Sequence, residues 1–146
     1  MVTNTFENKN FLTDSAKKTK RLGKDFATGL KAGDIVFFNG NLGTGKTTFI
    51  QGIMSKFGIK KFVRSASFML VNEFETKDIN LYHIDLYRLG KTNIHDLGLD
   101  EYLFGKGISL VEWSERLTGC KNQKRWEINI EYIDENTRDI SIKRVK

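Results

Sequence analysis

Apolar positions along this chain fall into two alternating periods. Leu12, Ala16, Thr19, Leu22, Phe26 and Leu30 recur at three- and four-residue spacing, which predicts an amphipathic helix. Thr13 or Asp14 is its expected N-cap, "KAGD" ends it, and Val2 to Glu7 reads as a short strand before it. "IVFF", Ile35 to Phe38, is a continuous apolar run of the kind found in strands covered on both faces of a parallel sheet. Thr47 to Phe57 then predicts a second helix, closed by Gly58.

Further on the period shortens. "SFMLVNEFE" and "INLYHIDLY" have strand composition, with "TKD" between them as a hairpin turn. "GISLVEW" is a second buried strand, and "RWEINIEYI" and "TRDISIKRV" alternate around "DEN" as a terminal hairpin. No repeat, linker or low-complexity tract interrupts the order. It predicts a single domain over residues 1–146, an α/β fold whose mixed, mostly parallel sheet carries antiparallel hairpins.

Composition narrows the class without naming it. Hydrophobic residues make up 39% and aromatics 12%, enough for an ordinary packed core. No apolar run approaches the roughly eighteen residues that span a bilayer, and "MVTNTFENKNFLTD" lacks the layout of a signal peptide. Cys120 stands alone, which excludes an intrachain disulfide and a cysteine-rich metal site. A cytoplasmic protein is expected. The formal charge of +6 would suit a polyanionic partner such as RNA. The lysines are scattered, however, with no dense basic block, so a solvated surface is the stronger reading.

The chemistry begins at Gly40-Asn41-Leu42-Gly43-Thr44-Gly45-Lys46-Thr47, which fits G-x-x-x-x-G-K-[ST] at every defined position. Chance composition yields that pattern in about one chain of this length in two hundred. The buried strand before it and the helix after it remove most such accidents. Glycines let backbone N–H groups turn inward around phosphate oxygens. Lys46 would reach the β- and γ-phosphates, and the Thr47 hydroxyl would join a Mg²⁺ shell. The helix that follows adds its positive end. A nucleoside triphosphate is the expected ligand.

Such a loop works with an acid, commonly at the end of an apolar strand beside it. Two strands qualify: "ISLVE" ends in Glu112 and "LYHID" in Asp85. His83 alternates with Asp85 and shares its face. It reads as a hydrogen-bonded support for the strand end rather than a metal ligand. Arg88 is suited either to a local pair or to a phosphate or partner contact.

Together "NGNLGTGKTTF", "SASFMLVNEF", "HIDLYRL" and "VEW" resemble, in that order and with similar spacing, the TsaE (YjeE) family. These are small bacterial P-loop ATPases of tRNA threonylcarbamoyladenosine modification. The resemblance implies a three-layer P-loop NTPase-like fold and assigns roles. Asn41, Leu42, Gly43, Thr44, Gly45, Lys46, Thr47 and Thr48 would contact the nucleotide, with Lys46 also catalytic. Thr47 and Glu112 would hold Mg²⁺, and Asp85 would act near the γ-phosphate of ATP, orienting or activating water. Ser65 to Phe68, with Ser65 and Ser67 as its polar members, matches a switch-like segment. Trp113 would lie beside the nucleotide, and Arg138 fits a late arginine near it. The chain departs from the family pattern at Ala66 and Ser67, where proline and threonine are usual, and at Asn41, where aspartate is usual. Ser67 keeps a hydroxyl, whereas the missing proline loosens the backbone.

The implied activity is a weak ATPase stimulated by partners, the TsaD and TsaB proteins, in threonylcarbamoyl transfer to adenosine 37 of ANN-decoding tRNAs. The tRNA would be met through that complex. Two other classes compete. A small-molecule kinase would need an arginine-rich lid, and no such segment lies between the core elements. A nucleotide-gated RNA-binding module draws only on the positive charge. No N-K-x-D element points to guanine.

Overall fold

A computed structural model describes residues 5–41, 43–60, 71–87, 90–93, 97–120 and 123–146, with the backbone alone at 92 and 93. In chain order the elements are β1 (Lys9–Thr13), α1 (Ala16–Ala27), β2 (Ile35–Asn39), α2 (Lys46–Lys56), β3 (Val71–Glu75), β4 (Asn80–Asp85) and β5 (Thr92–Asn93). There follow α3 (Asp100–Leu103), β6 (Ile108–Glu112), a 3₁₀ turn at Ser114–Arg116, β7 (Leu117–Thr118), β8 (Arg125–Tyr132) and β9 (Arg138–Val145).

Seven strands form one sheet in the order β1-β9-β8-β2-β6-β4-β3, and β5 pairs with β7 in a small second one. The four central strands, β8, β2, β6 and β4, run parallel. Antiparallel pairs close both edges: β3 on β4 at one side, β9 on β8 and β1 on β9 at the other. The physical reason lies in the side chains. Ile35 to Phe38 and all of β6 are buried, so both sheet faces there need cover. Helices α1 and α2 cover one face, over Val36, Phe38, Leu110, Ile128 and Ile140. Leu86, Leu99, Leu103 and Leu117 cover the other, over Ile35, Phe37, Ile84 and Val111. The result is the α/β, P-loop NTPase-like arrangement read from the sequence.

Helices α1 and α2 cross backbone to backbone. A Cβ on Gly23 would lie 2.2 Å from the Phe49 carbonyl oxygen, and one on Gly52 2.0 Å from that of Lys20. Only glycine permits this approach. Helix α2 ends as expected at Gly58, whose φ is +78°. The Ile59 N–H returns to the Met54 carbonyl at 3.0 Å, closing a Schellman motif.

Several sequence expectations shift. The first strand is Lys9–Thr13, not Val2 to Glu7; residues 5–8 form a turn and residues 1–4 lie outside the described set. Leu12, counted on the helix face, belongs to that strand and is 73% exposed. Ser15, not Thr13 or Asp14, caps α1 by accepting from the Lys18 N–H at 3.1 Å. Thr13 is drawn into β1 by its pairing with Arg138 and by a 2.7 Å bond between its hydroxyl and that of Thr19. Leu30 is buried but lies beyond the helix end at Ala27. The start of "SFMLVNEFE" lies outside the described residues, and its strand is seen from Val71.

Candidate active site

The C-terminal end of β2 runs directly into the glycine-rich loop, which lies over the carboxyl edge of the sheet, the usual place for a ligand in such folds. Gly40, Gly43 and Gly45 take φ values of +147°, +76° and +109°, a region that L side chains rarely enter. A Cβ on Gly40 would also stand 2.6 Å from the Ile130 carbonyl oxygen. Thr44 tightens the loop by donating its hydroxyl to the Asn41 carbonyl at 2.9 Å. Gly45 precedes α2 and supplies no capping side chain, in contrast to Ser15 before α1. The first N–H groups of α2 therefore have no capping side chain among the described residues, which suits an anion.

Lys46 sits at the centre and is only 5% exposed. Its Nζ donates to the Gly40 carbonyl at 2.7 Å and lies 4.1 Å from the centroid of the Trp113 ring. Burial pushes its pKa below the ordinary lysine value, while the charges of Glu112, Glu115 and Asp85 pull it back up. The three carboxylates thus offset part of the cost of burying the ammonium.

Strand β6 lies directly beside β2, and β4 lies beyond β6. The two acids expected next to the loop strand thus come from neighbouring strands, Glu112 from the nearer one and Asp85 from the farther. They are register partners, so their side chains share the face on which α2 packs. Both are buried. Glu112 Oε2 accepts from His83 Nε2 at 2.7 Å, and Asp85 Oδ1 accepts from the Tyr87 N–H at 3.0 Å. The Leu86 N–H donates to the Glu112 carbonyl at 3.2 Å, tying the two strand ends.

Trp113 follows Glu112 in the left-handed region, at φ +59° and ψ +39°, a costly place for a bulky side chain. That turn places its ring between Lys46 and Arg116, whose guanidinium lies 4.9 Å from the ring centroid. Arg116 donates to the carbonyls of Leu86 and Tyr87, the two residues after Asp85. Trp113 and Arg116 together join the ends of β4 and β6 to the loop lysine.

Arg138 arrives from the far edge of the sheet. Its Nε donates to the Thr44 carbonyl at 2.8 Å, across 94 residues of sequence. Its Nη1 donates to the carbonyls of Asp134 at 2.7 Å and Thr137 at 3.0 Å, and its guanidinium covers the Tyr132 ring at 4.7 Å. The turn that presents it is held by Asp134, whose Oδ1 accepts from the Asn136 and Thr137 N–H groups at 2.9 Å. Those donors hold the Asp134 carboxyl below its usual range. Between Arg138, Gly45, Thr48, Ala16 and Asn136 opens a cavity of about 130 Å³.

The tertiary structure therefore gathers Lys46, Asp85, Glu112, Trp113 and Arg138 around one loop. Asn41 and Gly43 are exposed on that loop, Thr44 is buried, and Gly45, Thr47 and Thr48 are half-buried. Leu42, Ser65, Ser67 and Arg88 lie outside the described residues. Sequence reasoning did not single out Ser15, Asn136 or Arg116. Ser15 was hidden in a run of three good capping residues, and Asn136 carried only a turn signal. Among the described residues no group of three or more His, Cys, Asp or Glu side chains is placed to hold a metal. A hard cation that keeps water and phosphate oxygens as ligands needs fewer. The Thr47 hydroxyl and Glu112 carboxylate are of the right chemical type for Mg²⁺.

Comparison with known proteins bears on the family and the fold. The family model for TsaE, described as threonylcarbamoyl adenosine biosynthesis protein, matches residues 13–140. A relative from Bacillus subtilis (strain 168) is 37% identical over 133 residues, covering 91% of this chain and 84% of its own. One from Aquifex aeolicus (strain VF5) is 38% identical over 138 residues, covering 93% and 96%. Both are named tRNA threonylcarbamoyladenosine biosynthesis protein TsaE. The crystal structure of YdiB from B. subtilis superposes with a TM-score of 0.79 at 33% identity, over 99% of this chain and 90% of that one. The chain belongs to the TsaE family.

Proposed function

We propose that this protein binds ATP with Mg²⁺ and hydrolyses it in the cytoplasm, in support of threonylcarbamoyl transfer to adenosine 37 of ANN-decoding tRNAs. The observation that carries this reading is Lys46, buried at the centre of a phosphate-type loop and facing two register-paired carboxylates. The names of the relatives support the pathway.

In this reading the N–H groups of Gly43 to Thr48 wrap the phosphates, and Lys46 leaves its neighbours to neutralise the β- and γ-oxygens. Thr47 and Glu112 hold Mg²⁺, which when bound offsets phosphate charge as bond cleavage begins. Asp85, on the strand beyond Glu112, orients the attacking water. The cavity beside Thr48 and Arg138 takes the nucleoside, and Trp113 lies against the Lys46 ammonium. Proteins of the TsaD and TsaB type act as partners, and the tRNA is met through them. Turnover by the isolated chain is slow because partner contacts complete the site, as an arginine finger does in other P-loop proteins.

The test is ATP hydrolysis by the purified chain, alone and with both partner proteins, for wild type and Asp85→Ala. The expected result is stimulation of wild type by the partners, and a variant that binds ATP without turning it over. Absence of hydrolysis in every condition would remove the ATPase reading, and phosphorylation of an added metabolite would replace it with a kinase.

A further inference from the structure

Glu112 ends β6 on a side chain with three free torsions, one more than aspartate would have. Something must choose its rotamer. His83, fully buried, sits on β4 opposite Leu110, two residues before Asp85, and therefore on the same face as both acids. Its Nε2 reaches Glu112 Oε2 at 2.7 Å. Since a carboxylate only accepts, the imidazole donates.

We infer that His83 is a positioning residue which fixes the Glu112 carboxylate for a divalent cation through this single Nε2–H···Oε2 bond. The inference rests on the proposed binding of nucleotide with Mg²⁺. The other ring nitrogen, Nδ1, is buried and has no hydrogen-bond partner among the described residues. An imidazole that merely filled space would incur that cost for nothing, and a leucine would avoid it. The bond to Glu112 is what offsets it. With one lone pair of Oε2 taken up by His83, Oε1 is the less encumbered oxygen for a cation. That suits Mg²⁺, which is held through one or two carboxylates beside waters and phosphate oxygens in a strict octahedron, better than Ca²⁺, which often takes both oxygens of one carboxylate. His83 thus sets both affinity for the ion and the choice between ions.

The experiment titrates a fluorescent ADP analogue into the full chain with EDTA, Mg²⁺, Mn²⁺ or Ca²⁺, and counts bound Mn²⁺ by its EPR signal. Three variants are compared. His83→Leu removes the donor, His83→Asn keeps a polar group too short to reach Glu112, and His83→Gln restores an amide donor near the Nε2 position. The expected result is nucleotide affinity in EDTA unchanged throughout. The metal concentration giving half of the affinity gain rises about 10- to 100-fold in His83→Leu and His83→Asn. His83→Gln recovers most of it, and the preference for Mg²⁺ over Ca²⁺ narrows in the first two. Should His83→Leu fail to fold, His83→Asn carries the test. Wild-type metal dependence in the folded Leu or Asn variant would overturn the role of His83, as would a His83→Gln variant that behaves like them. A wild type with no metal-dependent gain at all would instead remove the nucleotide–metal reading itself, and the inference with it.

Discussion

Gly52→Ala tests the crossing of α1 and α2, on which the position of the glycine-rich loop depends. The added methyl would begin 2.0 Å from the Lys20 carbonyl oxygen and 3.0 Å from the Lys20 carbonyl carbon and the Lys24 nitrogen. Ordinary contact starts at 3.4 Å, so the helices must part by about 1.4 Å. All three obstacles are backbone atoms, and no side-chain rotation relieves them. Overpacking costs about 1–3 kcal/mol where side chains can yield, so the upper end applies here. The gain in helix propensity returns about 1 kcal/mol, leaving a net loss of about 2 kcal/mol. For a chain of this size that lowers Tm by roughly 4–8 °C. Separation also loosens Phe26 against Phe49, whose rings are 5.9 Å apart. Because α2 begins at Lys46, nucleotide affinity should fall as well. Urea unfolding is the assay, with a lower midpoint and an unchanged slope expected. Gly98→Asn, which keeps a residue tolerant of the left-handed φ of +69° and whose Cβ would meet nothing within 4 Å among the described residues, serves as the control. A Gly52→Ala midpoint equal to or above wild type would refute the close crossing.

Arg138→Ala removes a charge-assisted bond to the Thr44 carbonyl. At about 1.5 kcal/mol for a half-exposed donor, nucleotide affinity should drop roughly tenfold by calorimetry, with a smaller change in Tm. Burial lowers Lys46 from 10.5. In the window between its lowered pKa and 10.5 the unfolded chain holds more protons than the folded one, so stability rises with pH there, and the cost of burying the charge is fully present below it. Lys46→Met should flatten that slope in urea midpoints measured up to this pH. Within that same pH window nucleotide binding should reverse the shift, seen as proton uptake when calorimetry is repeated in buffers of different ionisation enthalpy. Ser15→Ala removes the cap on α1 and should cost about 1 kcal/mol, read as a lower urea midpoint; because Ser15 also lines the cavity beside Thr48 and Arg138, nucleotide affinity should fall with it.

Much of this protein was written in short-range pattern. The runs Ile35 to Phe38 and Ile108 to Val111 have no polar face, which by itself demands strands covered on both sides and hence a layered α/β fold. The loop from Gly40 to Thr47 fits a phosphate-binding pattern at every defined position, and its glycines at 40, 43 and 45 answer a local geometric need. The same holds for Gly58 at the end of α2, where a left-handed position follows directly from the chain's own turn.

Adjacency was another matter. Thr13, Asp14 and Ser15 are all good caps by type. Ser15 prevails because pairing of β1 with β9 holds Thr13 in a strand. The loose match at Arg138 becomes a 2.8 Å bond to Thr44 only because β8 joins the sheet beside β2 and carries β9 with it. His83 meets Glu112, and Asp85 lies level with it, only through the register of β4 on β6. Sequence determined the periods, the breaks and the glycine-rich loop, since these arise from interactions among near neighbours. Strand order and register, and with them the arrangement of the two acids, the histidine and the arginine, were decided by how the buried faces of distant segments close over one another.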